Sequence, residues 1–194
     1  MTSDDTPKQL AAIRRRLATE SDEGAKKSFR KFVPTSQRVY GVRVTVLNEI
    51  VKQHGAADFA LIEALWQAGA FEERLLAAKM LGRAGRQEPD HALRLIERFC
   101  AGVGDWAVCD TLATQGARGI VKTGRTELLD LSQRLVVSDN FWERRFAVVL
   151  LTNYARDETA REAVERIARV VADDSEYYVK KAVEWLDRDL KKGA

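Results

Sequence analysis

A tryptophan and an aspartate stand four positions apart in the stretch GDWAVCDTLATQGAR, residues 104–118. If this stretch is helical, Trp106 and Asp110 lie one turn apart on the same side, and the carboxylate borders the apolar face. Burying a carboxylate is costly unless it is paired or hydrogen-bonded. A carboxylate beside an aromatic ring can also stabilise positive charge. The spacing therefore indicates either a structural ion pair or a functional carboxylate at Asp110, and position alone favours the ion pair.

A partner for this carboxylate is available in SDNFWERRFAVVLL, residues 138–151. Asp139 or Asn140 can cap a helix there, and Arg144 and Arg145 then point in different directions. Because apolar residues follow at core spacing, one of the two arginines must lie near the apolar boundary. We expect that arginine to hold a carboxylate or a phosphate through two parallel hydrogen bonds.

Another tryptophan, Trp185, belongs to the last predicted helix, DSEYYVKKAVEWLDRDL, residues 174–190. It stands behind Val179, Ala182 and Leu186 at helical spacing, which simple packing explains. Tryptophan rings are more often core or half-core than functional. Each ring taken alone therefore predicts packing.

Positive charge is concentrated in residues 24–48, which contain six basic residues and no acidic one: Lys26, Lys27, Arg30, Lys31, Arg38 and Arg43. A weaker window, residues 111–126, also has no acid and contains three basic residues: Arg118, Lys122 and Arg125. Such windows favour contact with a phosphate backbone. A solvated, lysine-rich helix face is the alternative for either window alone. Aromatic residues interleave with the first window, but at such spacing they are more often core than base-stacking platforms.

The length and composition set broad limits on the protein. A chain of 194 residues, 45% of them hydrophobic, is long enough for one sizeable core, so we expect a single domain over residues 1–194. The net charge of +3 is a faint indication of an anionic partner. Cys100 and Cys109 lack the neighbours of a metal site, so we expect reduced structural thiols, no metal and no cofactor. The sequence shows no signal segment or membrane-length apolar run, which predicts a cytoplasmic protein without membrane contact.

The elements that must position these residues are predicted to be helices throughout, because strong helix formers dominate and only three prolines occur. Thr6 followed by Pro7 predicts a first helix with Thr6 as its cap, and Asp58 predicts a later cap. Other helices are expected near residues 42–54, 70–85, 88–102, 105–116, 126–136, 139–154, 158–171 and 175–191. Short connections and stacked pairs of roughly 40 residues favour a HEAT-like helical-repeat α-solenoid with a concave basic face. A compact helical bundle is the alternative.

Four segments together resemble the AlkD-type DNA alkylation repair glycosylases, HEAT-like proteins that remove cationic N3- and N7-alkylated purines. These segments are YGVRVTVLNEI at residues 40–50, DWAVCD, DNFWERRFAVV and DSEYYVKKAVEWLDRDL. Each segment alone has little specificity, and their order and spacing over most of the chain carry the resemblance. The chain departs from the family at Ala107, where an acid is common, and at Thr45, where a proline is common. Neither departure removes a residue that the resemblance makes catalytic.

The resemblance implies a role for particular residues. Asp110 would be the catalytic carboxylate, and Trp106 and Trp185 would be the paired tryptophans that face the lesion. Arg145 would contact a phosphate, and the basic residues of the two windows would hold the backbone of duplex DNA. The implied enzyme is a monofunctional glycosylase without a lysine nucleophile, and we expect it to act as a monomer.

Two other functions stay open from the sequence. A helical-repeat protein that binds DNA without catalysis would account for the basic windows alone. A protein-binding HEAT scaffold would show no salt-dependent DNA binding.

Overall fold

The computed structural model describes residues 5–55 and 57–192, and every regular element within those ranges is helical. The described residues form eleven α-helices: α1 Thr6–Thr19, α2 Glu23–Phe32, α3 Val44–His54, α4 Phe59–Ala68, α5 Phe71–Ala84, α6 Pro89–Cys100, α7 Trp106–Thr111, α8 Arg125–Leu135, α9 Phe141–Leu151, α10 Arg161–Arg169 and α11 Tyr177–Lys192. Three short turns of other helix types follow α7 and α9: a π-helix Leu112–Gly116, a 3₁₀ turn Ala117–Gly119 and a 3₁₀ turn Thr152–Tyr154. No helix in these ranges is both long and apolar enough to cross a bilayer.

Side-chain caps fix the start of several helices. Asp58 accepts a hydrogen bond from the Ala60 N–H at 3.0 Å, which confirms the predicted cap of α4. Asn140, rather than Asp139, caps α9. The predicted cap at Thr6 is wrong, because Thr6 is already helical and the preceding residue holds the cap position without a side-chain cap bond.

The first basic window contains a helix that the sequence patterns did not predict. Asp22 accepts a hydrogen bond from the Ala25 N–H at 2.7 Å and so starts α2. No residue of α2 is fully buried. Phe29 packs on Phe71, with ring centroids 5.4 Å apart, whereas Phe32 is 63% exposed. α2 therefore packs on the molecule through Phe29 and presents Lys27, Arg30 and Lys31 to solvent.

The core is built around α5, in which twelve of fourteen residues are buried. α4 packs against α5, and α9 packs against both α8 and α11. α5 also closely approaches the π-helix: a Cβ added at Gly82 would lie 1.8 Å from the Gln115 carbonyl oxygen. The predicted all-α fold is confirmed, and the paired helices are consistent with a helical-repeat solenoid.

Two predicted helices differ in their extent. The helix expected over residues 105–116 is α-helical only to Thr111, after which the backbone widens into the π-helix. The helix expected over residues 158–171 is limited to Arg161–Arg169. π-helical turns are rare and often occur at functional sites, and this one directly follows the helix that carries Asp110.

Candidate active site

The helix that carries Trp106 and Asp110 begins at a buried aspartate. Asp105 is fully buried, and its carboxylate accepts a hydrogen bond from the Val108 N–H at 2.9 Å. Burial raises the pKa of Asp105, and the hydrogen bonds from the backbone partly oppose that rise. This cap fixes the first turn of α7 and therefore the directions of Trp106 and Asp110.

Asp110 is held by an arginine from another helix. Arg145 Nε donates to Asp110 Oδ1 at 2.9 Å and Arg145 Nη2 donates to Asp110 Oδ2 at 2.8 Å. The remaining guanidinium nitrogen, Nη1, donates to the Tyr178 carbonyl oxygen at 2.5 Å. Arg145 thus joins α7, α9 and α11 at one point, and the ion pair expected from position is present.

The carboxylate stays partly accessible within this pair. The side chain of Asp110 is 19% exposed, whereas that of Arg145 is 7% exposed. Burial raises the pKa of Asp110, and the hydrogen bonds and charge of Arg145 partly counter the rise. Each carboxylate oxygen accepts one bond from Arg145 and keeps further lone pairs. Asp110 is therefore a desolvated, oriented carboxylate that can still face a ligand.

The two tryptophans singled out by sequence are half-buried and anchored through their indole N–H groups. Trp106 Nε1 donates to the Phe32 carbonyl oxygen at 3.0 Å, which ties α7 to the end of α2. Trp185 Nε1 donates to Asp189 Oδ2 at 2.8 Å within α11. Neither indole stacks on another aromatic ring in the described ranges, so their faces are not occupied by such a partner.

The structure brings Asp110, Arg145 and Trp106 together and shows no hydrogen bond from them to Trp185 within the described residues. Asp110 and Arg145 are in direct contact, and Trp106 lies one helical turn before Asp110. Trp185 lies seven residues after Tyr178, on the same side of α11, because seven residues make nearly two turns. No hydrogen bond within the described residues joins Trp185 to Asp110 or Arg145. The assignment of Trp185 to the same site stays a prediction.

The predicted DNA-binding residues occupy two surfaces. Residues of the first window lie on α2, on the loop that follows it and at the start of α3: Lys26, Lys27, Arg30, Lys31, Arg38 and Arg43. All of these side chains are exposed except Lys26, which is half-buried and pairs with Glu23 at 3.2 Å. Arg118 and Lys122 lie after the π-helix and line a cleft of about 540 Å³. Arg145 lies in neither surface, since it is buried against Asp110.

A second cleft, of about 690 Å³, contains basic residues that the sequence windows missed: Lys79, Arg83 and Arg86, together with the predicted Arg118. Arg86 and Arg118 line both clefts. Lys79 and Arg83 lie one turn apart on α5, and Arg86 follows just after α5 ends. Residues 74–87 contain no acid, so an acid-free window did mark this helix as well.

We searched the described residues for a metal-binding cluster and for a reactive thiol. They contain no group of three or more His, Cys, Asp or Glu side chains placed to hold a metal ion. Cys100 and Cys109 are free and buried, and burial raises the pKa of both thiols. Both thiols are therefore unreactive core residues.

The described residues thus combine an all-helical fold, a partly exposed carboxylate at Asp110 and two clefts lined by basic side chains. A family model described as "DNA alkylation repair enzyme" matches residues 13–193, nearly the whole chain. The chain belongs to this family of DNA alkylation repair enzymes. A comparison with curated proteins gives no match.

Proposed function

We propose that this repair enzyme is a DNA glycosylase that hydrolyses the N-glycosidic bond of cationic N3- or N7-alkylated purines in duplex DNA, as a step of base excision repair. The observation that supports this most is the carboxylate of Asp110, which is desolvated and oriented by Arg145 yet still partly exposed. The rest of the proposal follows from what such a carboxylate can do to a cationic nucleoside.

An alkylated purine leaves easily, because it already carries a positive charge and departs as a neutral base. As the bond between the base and C1′ breaks, positive charge moves to the deoxyribose ring. A fixed carboxylate in a site of low dielectric stabilises that charge without reorganising. Asp110 would also orient a water molecule toward C1′. The water oxygen bonds to C1′ as a hydroxyl group, and the water releases its other proton. This chemistry needs no metal, no cofactor and no acid to protonate the leaving base.

The tryptophans would act on the same charge. Trp106 uses its N–H on the Phe32 carbonyl, so its ring face is the part left to meet a cation. Aromatic faces attract a desolvated cation by about 2 kcal/mol. Trp106 beside Asp110, with Trp185 from α11, would therefore bind the cationic nucleoside more tightly than an unmodified one.

The remaining parts of the proposal concern the DNA. The basic residues of α2 and of the two clefts would neutralise phosphates, which positions the duplex without reading its sequence. No lysine contacts Asp110 in the described ranges, so we propose base removal without strand cleavage. We further propose that the protein acts as a monomer.

The direct test is release of free base from a duplex that carries one N7-methylguanine, against an unmodified duplex of the same sequence. We expect the protein to release 7-methylguanine above the spontaneous rate and to leave the unmodified duplex intact. The products would be separated by chromatography, and the strand would be cut only after alkali treatment.

The second candidate function is DNA binding without catalysis. It is favoured by the same ion pair, because Arg145 satisfies Asp110 well enough for a purely structural role. Equal affinity for the methylated and unmodified duplexes, with no base released, would establish this second function in place of the first.

A further inference from the structure

The π-helix Leu112–Gly116 begins two residues after Asp110 and changes which backbone groups are paired. The Ala117 N–H donates to the Leu112 carbonyl oxygen, five residues earlier. In an α-helix it would donate to the Ala113 carbonyl, four residues earlier. The widened turn therefore takes from Ala113 its α-helical donor. Ala113 is fully buried, and a buried carbonyl without a donor costs free energy.

The side chain of Asn153 supplies a donor to this carbonyl. Asn153 Nδ2 donates to the Ala113 carbonyl oxygen at 3.1 Å and to the Leu150 carbonyl oxygen at 2.9 Å. A side-chain amide has two N–H donors, so each carbonyl takes one of them. Asn153 lies in the 3₁₀ turn that follows α9. Its amide therefore joins the end of α9 to the π-helix.

α9 and the turn after it hold the segment that carries Asp110 at two points. Arg145 holds the Asp110 carboxylate before the π-helix, and Asn153 holds the Ala113 carbonyl inside it. Since the helix widens between these two contacts, both can be made together only while the turn has its extra residue.

The far end of the π-helix is fixed against α5. A Cβ added at Gly82 would lie 1.8 Å from the Gln115 carbonyl oxygen, and one added at Gly119 would lie 2.6 Å from the Gly82 carbonyl oxygen. Lys79 Nζ also donates to Gln115 Oε1 at 2.9 Å. Because the two backbones are in contact, this end of the segment has no room to turn.

A return of the π-helix to an α-helix would consequently move Asp110. Removing one residue from the turn rotates the chain before it by about 100° relative to the chain after it, which is the rotation per residue of an α-helix. Since the end against α5 is fixed, the rotation would fall on α7. Asp110 would then leave the guanidinium group of Arg145.

We propose that Asn153 is a positioning residue of the candidate active site, whose amide keeps the segment after α7 π-helical and thereby keeps Asp110 on Arg145. The inference rests on the proposed function in taking Asp110 as the catalytic carboxylate. Within the described residues Asn153 forms no hydrogen bond with Asp110 or Arg145. It acts on them through the backbone at Ala113.

Asn153→Ser separates the bond to the π-helix from the bond within α9. Thr152, in the same turn, donates its hydroxyl to the Val149 carbonyl oxygen three residues earlier, at 2.6 Å. A serine hydroxyl at position 153 should reach the Leu150 carbonyl in the same way. It has a single donor and is one atom shorter than the amide, so the bond to Ala113 is lost.

Thr152→Val is the matched control. It removes a hydrogen bond at the end of α9 and leaves the bond between Asn153 and the π-helix in place. Asn153→Asp keeps the shape of the side chain without its N–H donors, and it replaces Asn153→Ser if that variant does not fold.

Single-turnover release of 7-methylguanine from the methylated duplex separates positioning from binding. We expect Asn153→Ser to lose at least about tenfold of the rate at saturating protein, since a misplacement of about 1 Å can cost about a hundredfold. The half-saturating protein concentration should not change, and Thr152→Val should keep the wild-type rate. Asn153 also lines the cleft of about 540 Å³. A change in the half-saturating concentration alone would assign Asn153 to DNA binding and overturn its positioning role.

Proton–nitrogen NMR of the arginine Nε–H groups reports the ion pair without any catalysis. The Nε–H of Arg145 donates to Asp110, and Arg145→Lys identifies its signal by removing it. We expect this signal to shift in Asn153→Ser and to keep its wild-type position in Thr152→Val.

Two results would overturn the positioning role of Asn153. The first is a wild-type rate with an unmoved Arg145 signal in Asn153→Ser. The second is an equal loss of rate in Thr152→Val, because the end of α9 rather than the π-helix would then be responsible. A wild-type protein that releases no 7-methylguanine would instead remove the proposed function, and the Arg145 signal would still decide whether Asn153 keeps Asp110 in place.

Discussion

At the scale of single residues, the ion pair between Asp110 and Arg145 joins α7, α9 and α11, and in the proposed function it also orients the catalytic carboxylate. From the sequence, a structural ion pair and a functional carboxylate at Asp110 were alternatives, but the geometry is compatible with both. Removing one partner of a buried pair lowers the free energy of unfolding by about 3–5 kcal/mol, because it leaves an uncompensated charge. The side chain of Asp110 is 19% exposed, so the pair does not enclose the carboxylate.

The pH dependence of base release follows from the raised pKa of Asp110. The proposed chemistry needs the ionised carboxylate, so the rate should fall as the pH drops through this pKa. Because burial raises it, half of the rate should be lost at a pH above the ordinary aspartate value of about 3.9. Single-turnover release, corrected for spontaneous depurination at each pH, measures this midpoint.

Arg145→Lys is the control for that profile. Lysine cannot form two parallel hydrogen bonds to the carboxylate, so the pKa of Asp110 should rise further and the midpoint should move to higher pH. A midpoint at the ordinary aspartate value in the wild type, unmoved by Arg145→Lys, would contradict the role of Asp110. The stability of the fold depends on pH in the opposite direction from the rate. Because the folded state binds the proton of Asp110 more tightly than the unfolded state does, this proton stabilises the fold at low pH. That stabilisation is lost as the pH rises through the folded pKa.

At the scale of elements, a buried glutamate positions the basic window. Glu72 is fully buried on α5, and its carboxylate accepts hydrogen bonds from the N–H groups of Tyr40, Gly41 and Val42 at 2.9, 2.7 and 3.1 Å. These bonds fix the chain between α2 and α3. Gly41, with φ of 86°, makes the turn there.

Glu72→Ala should therefore lower the free energy of unfolding by about 3 kcal/mol or more, because three buried donors lose a charged acceptor. Urea denaturation followed by circular dichroism measures the change. Glu72→Gln keeps one acceptor oxygen and should cost less than Glu72→Ala. A loss below about 1 kcal/mol in Glu72→Ala would show that the turn finds other partners.

At the scale of the whole molecule, much of the fold could be predicted from residue types. Asp58 was a predictable cap, and the cap of α9 was predicted to be Asp139 or Asn140, because short polar side chains before apolar runs favour the cap position. α2 was missed because only Phe29 and Phe32 among its residues are large and apolar, and none of its residues is fully buried. The π-helix was missed because its residue types are those of an ordinary helix; in the fold it lies against α5 at Gly82, which is distant in sequence.

The residues of the candidate site also divide into those that residue types predict and those that depend on the folded chain. Trp106 and Asp110 were predictable because one helical turn separates them, and an arginine partner followed from the cost of burying a carboxylate. That Arg145 pairs with Asp110, while Arg144 pairs with Asp174, depends on how α9 packs. Lys79 and its cleft escaped notice because residues of α3, α5 and the segment after α7 meet there only in the folded chain.

The central claim is tested most directly by release of free base from a duplex carrying N7-methylguanine, with the wild type and Asp110→Asn side by side. Asparagine keeps the size of the side chain and removes its charge. We expect Asp110→Asn to lose about a hundredfold or more of the rate, with unchanged salt-dependent binding to DNA. Its circular dichroism spectrum should stay that of a folded protein, while its melting temperature should fall because Arg145 loses its charged partner. Release by Asp110→Asn at the wild-type rate would contradict the assignment of Asp110 as the catalytic carboxylate.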